Sequence, residues 1–460
     1  MTYCLFAALL VTMGAGAQPQ VLTLTTQYDI WNIATEDLTG NGREDILAVM
    51  SDEESDPLIK QVAVFLAMDE GGYPGEPSFV LDLDPRIGNL FLADVDGEAP
   101  RELVVTHSQG ATVHQWADGG FEVLAEPEFM SILPQGSKRP RFLEDVAVDL
   151  MGDGRDEWLI PMPTGFAVRN VDGHIADIRA EVQTVARGSG DRGVTIRYDF
   201  PAFQPFDIRE HEHKGMAFLT DEHAEFAYGP NWRQHHRFRL PRKLDDRWQS
   251  DAQLMDINDN GLPDLVVTQT QGTVNMTAQT QIYFAEDQLR YPREPSALFE
   301  SQGAFATPVL VDVNGDGRKD VVHLKVPYSI GSFVSYFLRG RLTVNAEVYL
   351  CEEDGFDTSP AYTGSFPVQA PEDRRNLVYS LGDFNGNGRK DVAYGVGENE
   401  LAVYTGGEDE FLSSQPWVSV EVSPYGEAVS EDLTGNGHDD IMIHDPDSEQ
   451  SKQIRVVLFE

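Results

Sequence analysis

A nine-residue phrase recurs along this 460-residue chain: an Asp, an alternation of oxygen-bearing residues around a Gly, and a second acid eight positions after the first. Well-kept copies run Asp37–Asp45, Asp256–Asp264, Asp312–Asp320, Asp383–Asp391 and Asp432–Asp440, and worn ones run Asp94–Glu102 and Asp149–Glu157. A short apolar run follows each, as in Ile46–Val49, Leu265–Val267 and Val321–Val322. The copies are spaced by roughly 55 residues, except that the step from 149 to 256 is about double. A unit of this size cannot bury its apolar face alone, so the repetition predicts a stacked array of similar supersecondary units.

The phrase has the logic of a hard-cation loop. Oxygens at positions one, three and five, a backbone carbonyl at seven and a closing carboxylate at nine can wrap calcium, and the Gly at six permits the sharp turn. In the first copy these are Asp37, Thr39, Asn41, the Arg43 carbonyl and Asp45. In the second they are Asp256, Asn258, Asn260, the Leu262 carbonyl and Asp264. The third offers Asp312, Asn314, Asp316, Arg318 and Asp320, and the fourth Asp383, Asn385, Asn387, Arg389 and Asp391. The fifth offers Asp432, Thr434, Asn436, His438 and Asp440. An EF-hand loop would carry a bidentate Glu at position twelve, where Ala48, Val267, His323, Tyr394 and Ile443 stand here. The acid at nine must therefore close the shell, and β-formers follow where a helix would begin. Isolated Asn/Gly hairpin turns would account for one copy but not for five with one oxygen pattern. The expectation is about five calcium sites, each in a loop joining two strands.

On these residues the chain resembles the FG-GAP/VCBS repeat class, whose blades form β-propellers related to the head of integrin α chains. The Gly-Ala-Pro signature of integrin repeats is absent before the loops, where Pro308–Asp312 and Leu254–Asp256 stand instead. That departure favours the bacterial-type repeat and weakens any transfer of integrin ligand binding.

The doubled interval calls for one more unit. Phe206–Leu219 has the strand–loop–strand rhythm without a usable ligand set, which predicts an all-β propeller of eight blades. Seven blades follow instead if residues 180–250 are a single insertion. Each repeat reads as four strands. In the sixth, strand A is Val309–Val311, strand B begins at Val321, strand C is Ala346–Leu350, and Gly355–Phe356 turns into strand D. After the last loop only Ile441–Ile443 and Ile454–Leu458 fit as strands. Val21–Thr25 is expected to complete that blade and remove the open edge of the ring.

Residues 1–17 read as a secretory signal, with the apolar stretch Leu5–Met13 and small residues Ala15 and Ala17 before a cleavage point, leaving 18–460 as one propeller domain. Export to an extracellular, cell-surface or periplasmic setting suits calcium modules. No later run has the length of a membrane span. Cys4 lies in the leader, so only Cys351 remains and no internal disulfide can form. The formal charge is −42. The expected ligand sets hold eleven carboxylates, three in the Asp312 loop and two in each of the others, and five calcium ions would offset ten of those charges. The surface stays acidic, which argues against nucleic acid or anionic lipid as a general partner.

Function is expected on the face opposite the metal loops, in the connections between strands B and C. Blade six has a long excursion from Lys325 to Asn345, in which Tyr336, Phe337, Arg339 and Arg341 are candidate contacts for a carbohydrate or protein ligand. The same aromatics could instead pack over the central channel. Gln269–Thr280 of blade five reads as a second long polar connection. The stretch Tyr228–Trp248 is basic and aromatic, fit to bind an anionic polysaccharide or to dock on an acidic neighbour. His211, His213, Tyr228, Arg233 and His235 also raise a lyase-like alternative, in which a base abstracts the proton beside a uronate carboxylate. No nucleophile elbow, zinc helix or nucleotide loop accompanies them. The favoured reading is a recognition or adhesion scaffold.

Overall fold

The computed structural model describes residues 18–460 apart from 108, 134–135, 189–193, 209–212, 273–275, 304–306, 326–340, 354, 370–376 and 398. Eight antiparallel units of four strands, each ordered A-B-C-D, follow one another around a ring, and a fifth strand, Arg141–Phe142, adds parallel to the second unit, so the fold is an eight-bladed β-propeller. Blade one is Asp29–Glu36, Asp45–Asp52, Ile59–Phe65 and Phe79–Leu83. The residues between 149 and 256 do supply a blade: Ala202–Phe206, Gly215–Leu219, His223–Tyr228 and Gln234–Arg239 form blade four. A separate hairpin, Gln183–Gly188 with Val194–Asp199, stands between blades three and four.

Strand B follows each loop and lies in mid-blade, with a neighbouring blade against both faces. Its burial is therefore nearly continuous, as in Asp45–Asp52, Asp264–Gln271 and Asp440–His444. The outer strand D alternates, as in Phe79–Leu83. The unbroken apolar run after each loop is thus the sequence mark of a strand buried on both sides. No single central core forms. Each blade-to-blade contact has its own apolar cluster, such as Ile46, Ala48 and Phe65 of blade one against Met442, Ile454 and Val456 of blade eight.

The N-terminal strand closes the ring. Gln20–Thr25 pairs antiparallel with Gln453–Leu458, running from Gln20 opposite Leu458 to Thr25 opposite Gln453. Blade eight is completed by Asp440–His444 and by Glu427–Glu431 as its strand A.

Two sequence expectations about connections are corrected. Gln269–Thr280 is mostly strand, because B of blade five extends to Gln271 and C begins at Met276. In blade six, C is Arg341–Tyr349 and D is Tyr362–Gln369, while Gly355–Phe356 pairs with Cys351–Glu352 in a small ribbon of its own. The Arg341–Asn345 part of the supposed excursion is therefore paired strand, opposite Gln369–Ser365. Polar side chains hid these extensions, since ladder bonds past the apolar core are set by the partner strand and not by hydropathy.

Candidate metal loops and the belt that joins them

All five well-kept loops fold alike. The leading carboxylate accepts the N–H groups of positions five and six: Asn41 (3.0 Å) and Gly42 (2.7 Å) at Asp37, and Asn436 (3.1 Å) and Gly437 (2.8 Å) at Asp432. Asp256 and Asp383 do the same with Asn260 and Gly261 and with Asn387 and Gly388. Asp312 accepts from Gly315, Asp316 and Gly317. The Oδ1 at position five then accepts the N–H of position seven, from Asn41–Arg43 (2.9 Å) to Asn436–His438 (2.7 Å). Gly at six is required because its φ is positive, +79° at Gly42 and +89° at Gly317.

The closing acids Asp45, Asp264, Asp320, Asp391 and Asp440 are fully buried. One carboxylate oxygen receives an N–H from just past strand C: Ala67 (2.7 Å), Ala285 (2.7 Å), Cys351 (2.8 Å), Gly406 (2.7 Å) and Phe459 (2.8 Å), in that order. In the last four the other oxygen receives the N–H of position two, Ile257, Val313, Phe384 or Leu433. Burial raises the carboxyls of Asp45 and Asp320 to about 6 and those of Asp264, Asp391 and Asp440 to about 7. A cation at the loop would favour the ionised form.

The donor set fits a hard cation. Asp45 Oδ2, Asn258 Oδ1 and Thr434 Oγ1 are buried oxygens without a hydrogen-bond partner, and they occupy positions nine, three and three. Buried oxygens of this kind are costly unless something electropositive meets them. Asn314 and Asn385 are engaged within their loops through Asp316 and Asn387. The Arg at position seven also reaches out: Arg43 to the Met68 carbonyl (2.6 Å), Arg318 to Cys351 (2.6 Å) and Arg389 to Gly407 (3.2 Å). These bonds tie the A–B loop to the C–D turn, a role that the sequence reading, concerned with the carbonyl, did not include.

The two worn loops differ. At Asp149 the same cradle forms, with N–H groups of Gly152, Asp153 and Gly154, but Met151 supplies no oxygen side chain at position three. At Asp94 the structure brings together Asp94, Asp96 and Glu102 with one oxygen of each within 4.8 Å of the others, the only such three-acid group among the described residues. Burial raises Glu102 to about 7. The longer Glu arm at position nine and Pro100 at seven made this copy look degraded in the sequence.

Sequence reasoning missed the belt that links the loops. The N–H at position eight donates into the preceding loop: Glu44 to the Leu433 carbonyl (3.0 Å), Asp439 to Asp383 (2.8 Å), Lys390 to Val313 (3.1 Å) and Lys319 to Ile257 (2.7 Å). Asp156 reaches Asp94 (2.6 Å) and Lys214 reaches Leu150 (2.8 Å). Arg101 donates to Glu36 Oε1 (2.9 Å) and pairs with that carboxylate through Nε (2.6 Å). Pro263 has no N–H at position eight, and there Asp207 bonds the Gly261 carbonyl instead (3.2 Å). The apolar residue at position two plugs the seam beneath, and Leu38, Leu150, Ile257, Phe384 and Leu433 are all at most 3% exposed. A signal was present, since position two is apolar in every copy.

Of the proposed recognition residues, Tyr336, Phe337 and Arg339 lie outside the described residues, and Arg341 opens strand C of blade six opposite Gln369. The basic stretch of blade four makes mostly local pairs: Arg237 pairs with Glu225 of the same blade and lies 3.7 Å from Glu181, and Arg247 pairs with Asp245 two residues before it. Of the lyase-like set, His211 lies outside the described residues. His213 Nδ1 is 3.1 Å from the Met151 carbonyl, while His235 is exposed in strand D opposite Ala227.

No family model and no curated protein matches the chain. Among solved structures it is similar to the V. cholerae biofilm matrix protein Bap1, at 12% identity and TM-score 0.34 over 96% of this chain and 87% of that one. It is similar also to BBS1N from its complex with ARL6DN, at 11% identity and TM-score 0.37 over 95% and 94%. A third is the exotype rhamnogalacturonan lyase YesX, at 11% identity and TM-score 0.26 over 95% and 91%. Likeness at this level carries nothing about function. The propeller rests on the strand pairings themselves. No helix among the described residues is long and apolar enough to cross a membrane.

Proposed function

We propose that this protein is a calcium-stapled propeller of the FG-GAP/VCBS repeat kind, exported from the cell, that serves as a recognition or adhesion scaffold for a carbohydrate or protein ligand. The observation that supports the metal is the set of buried, donor-free oxygens at ligand positions three and nine. The scaffold reading follows from how the two faces differ. Alternating strand direction puts the A–B and C–D connections on one face, where the loops are bonded neighbour to neighbour. The B–C and D–A connections emerge on the other, with the exposed strands Gln183–Gly188 and Val194–Asp199 among them. A rigid ring presenting variable connections on its opposite face suits binding better than turnover.

A glycan array probed with the full chain, with calcium and with EDTA, tests the reading. Capture of defined glycans that is lost in EDTA and restored by calcium is the expected result. Appearance of unsaturated products absorbing in the near ultraviolet would replace the scaffold with the lyase alternative.

A further inference from the structure

On a protein of charge −42, one concave site has the opposite sign. The cavities among the described residues include three of comparable size. One beside blades four and five is lined by Glu181, Asp199, Asp221 and Asp251 and no cation. Another has Asp82, Asp84 and Glu126 against Arg86. The third, of about 470 Å³, is lined by Lys138, Arg139 and Arg141 against Glu53, with Asp447 meeting Arg139 from just outside, a net of +1 over these five groups, and Gly88, Asn89 and Ser137 complete the wall.

This third site is held rigidly. It is built by the crossing from blade two to blade three, which returns along the channel-lining strand of blade two and pairs parallel with it, Arg141 opposite Asn89. The Gly136 N–H meets the Arg86 carbonyl (2.7 Å), Ser51 Oγ donates to the Lys138 carbonyl (2.7 Å), and the Phe142 N–H meets Asn32 Oδ1 (2.9 Å). Arg139 lies 4.0 Å over the Trp31 ring and pairs with both Glu53 (2.9 Å) and Asp447 (3.4 Å), so its guanidinium is fixed in place and its charge is met. Lys138 Nζ is committed to the Glu53 carbonyl (2.9 Å). Arg141 is exposed, and no carboxylate among the described residues lies in ion-pair contact with it.

We propose that this pocket beside the channel mouth binds the carboxylate of a sugar-acid-sized ligand, with Arg141 as its anion contact and the paired Arg139 as a fixed wall. The volume lies in the range of small-ligand sites and takes one or two sugar rings. A guanidinium matches a carboxylate in planar, bidentate geometry. A short ligand is favoured over a long polyanion, because the acidic surroundings repel charges beyond the pocket while Arg141 acts at contact range. Screening sharpens this contrast. The Debye length falls from about 30 Å at 0.01 M salt to about 8 Å at 0.15 M, which shortens the reach of distant repulsion more than that of the contacts. Binding should therefore be no weaker at 0.15 M than at 0.01 M, the reverse of simple ion pairing.

The inference rests on the recognition reading for the kind of ligand but not on the connection 326–340, which the test leaves intact. Titration calorimetry of the full chain with galacturonic acid, galactose and sulfate supplies the readout. The sugar acid should bind and the neutral sugar should not. Arg141→Gln should weaken binding at least about tenfold, the scale of a charge-assisted contact, with an unchanged melting temperature. Arg141→Lys should recover part of it. Equal binding of galacturonic acid and galactose, or an Arg141→Gln protein that binds as the parent does, would overturn the proposal. Sulfate binding as tightly as the sugar acid would overturn the assignment to a sugar ring. Loss of array capture on shortening 326–340, with galacturonic acid still bound, would separate this site from the other.

Discussion

Asp312 and Asp149 accept the same three backbone N–H groups, although only the Asp312 loop keeps an oxygen side chain at position three. Their substitution by Ala therefore separates architecture from metal. In EDTA, Asp312→Ala and Asp149→Ala should lose similar stability, on the order of 1 kcal/mol each, because the exposed donors they release return to water. With calcium at a hundred times its Kd, Asp312→Ala should lose about 2.7 kcal/mol more than Asp149→Ala. Urea melts in both conditions measure this, and equal losses in both would remove the metal from the Asp312 loop. A second residue-scale test concerns His323, buried beside Phe299 and Tyr349 with Nδ1 unpartnered. Burial pushes its imidazole down to about 4, with Lys325 adding to the effect. The unfolded chain takes the proton near 6.5 while the folded one resists, so stability is lost as pH falls from 6.5 toward 4. The loss amounts to roughly 3 kcal/mol. His323→Phe should melt at or above the parent temperature at pH 7 and show a shallower loss in acid.

Among elements, the strands after the loops were legible because burial on both faces leaves an unbroken apolar run, whereas the strand extensions of blades five and six were not. Thr268 and Thr280 meet side chain to side chain across the ladder (3.1 Å), a pairing that hydropathy does not mark. The extension fixes the proper boundary for cutting the blade-six connection. Replacing 326–340 by a short Gly-containing turn should leave the melt and its calcium response nearly unchanged while abolishing ligand capture. Removing Lys325 to Asn345 as well would sever the pairing of Arg341–Asn345 with Gln369–Ser365 and should destabilise the protein. A shortened 326–340 variant that aggregates would make this connection part of the core.

For the molecule as a whole, stability is distributed around a closed ring of eight separate interfaces, so closure matters more than any one blade. The N-terminal strand completes six paired positions with Gln453–Leu458, and Thr26 adds a bond from its N–H to the Lys452 carbonyl (2.9 Å). Deleting Gln20–Thr25 would bare the edge of that strand, whose Ile454, Val456 and Leu458 pack between blades eight and one. Aggregation or a large fall in melting temperature is expected, measured by light scattering and calorimetry. A deletion protein as stable and monomeric as its parent would show that the ring does not depend on this strand.

The repeat period, the positions of the turns, the blade between 149 and 256 and the pairing of the two ends could all be read from the sequence, because each follows from a local pattern recurring at a fixed interval. The belt of position-eight N–H groups, the donor-free oxygens at Asp45, Asn258 and Thr434, and the three-acid group at Asp94 belong to the tertiary structure. So does the cationic pocket, whose Glu53, Asn89 and Arg141 come from separate segments. A sequence states which groups a turn carries. Which of them meet, and which are left without a partner, depends on how each loop closes and how adjacent blades pack side by side around the ring.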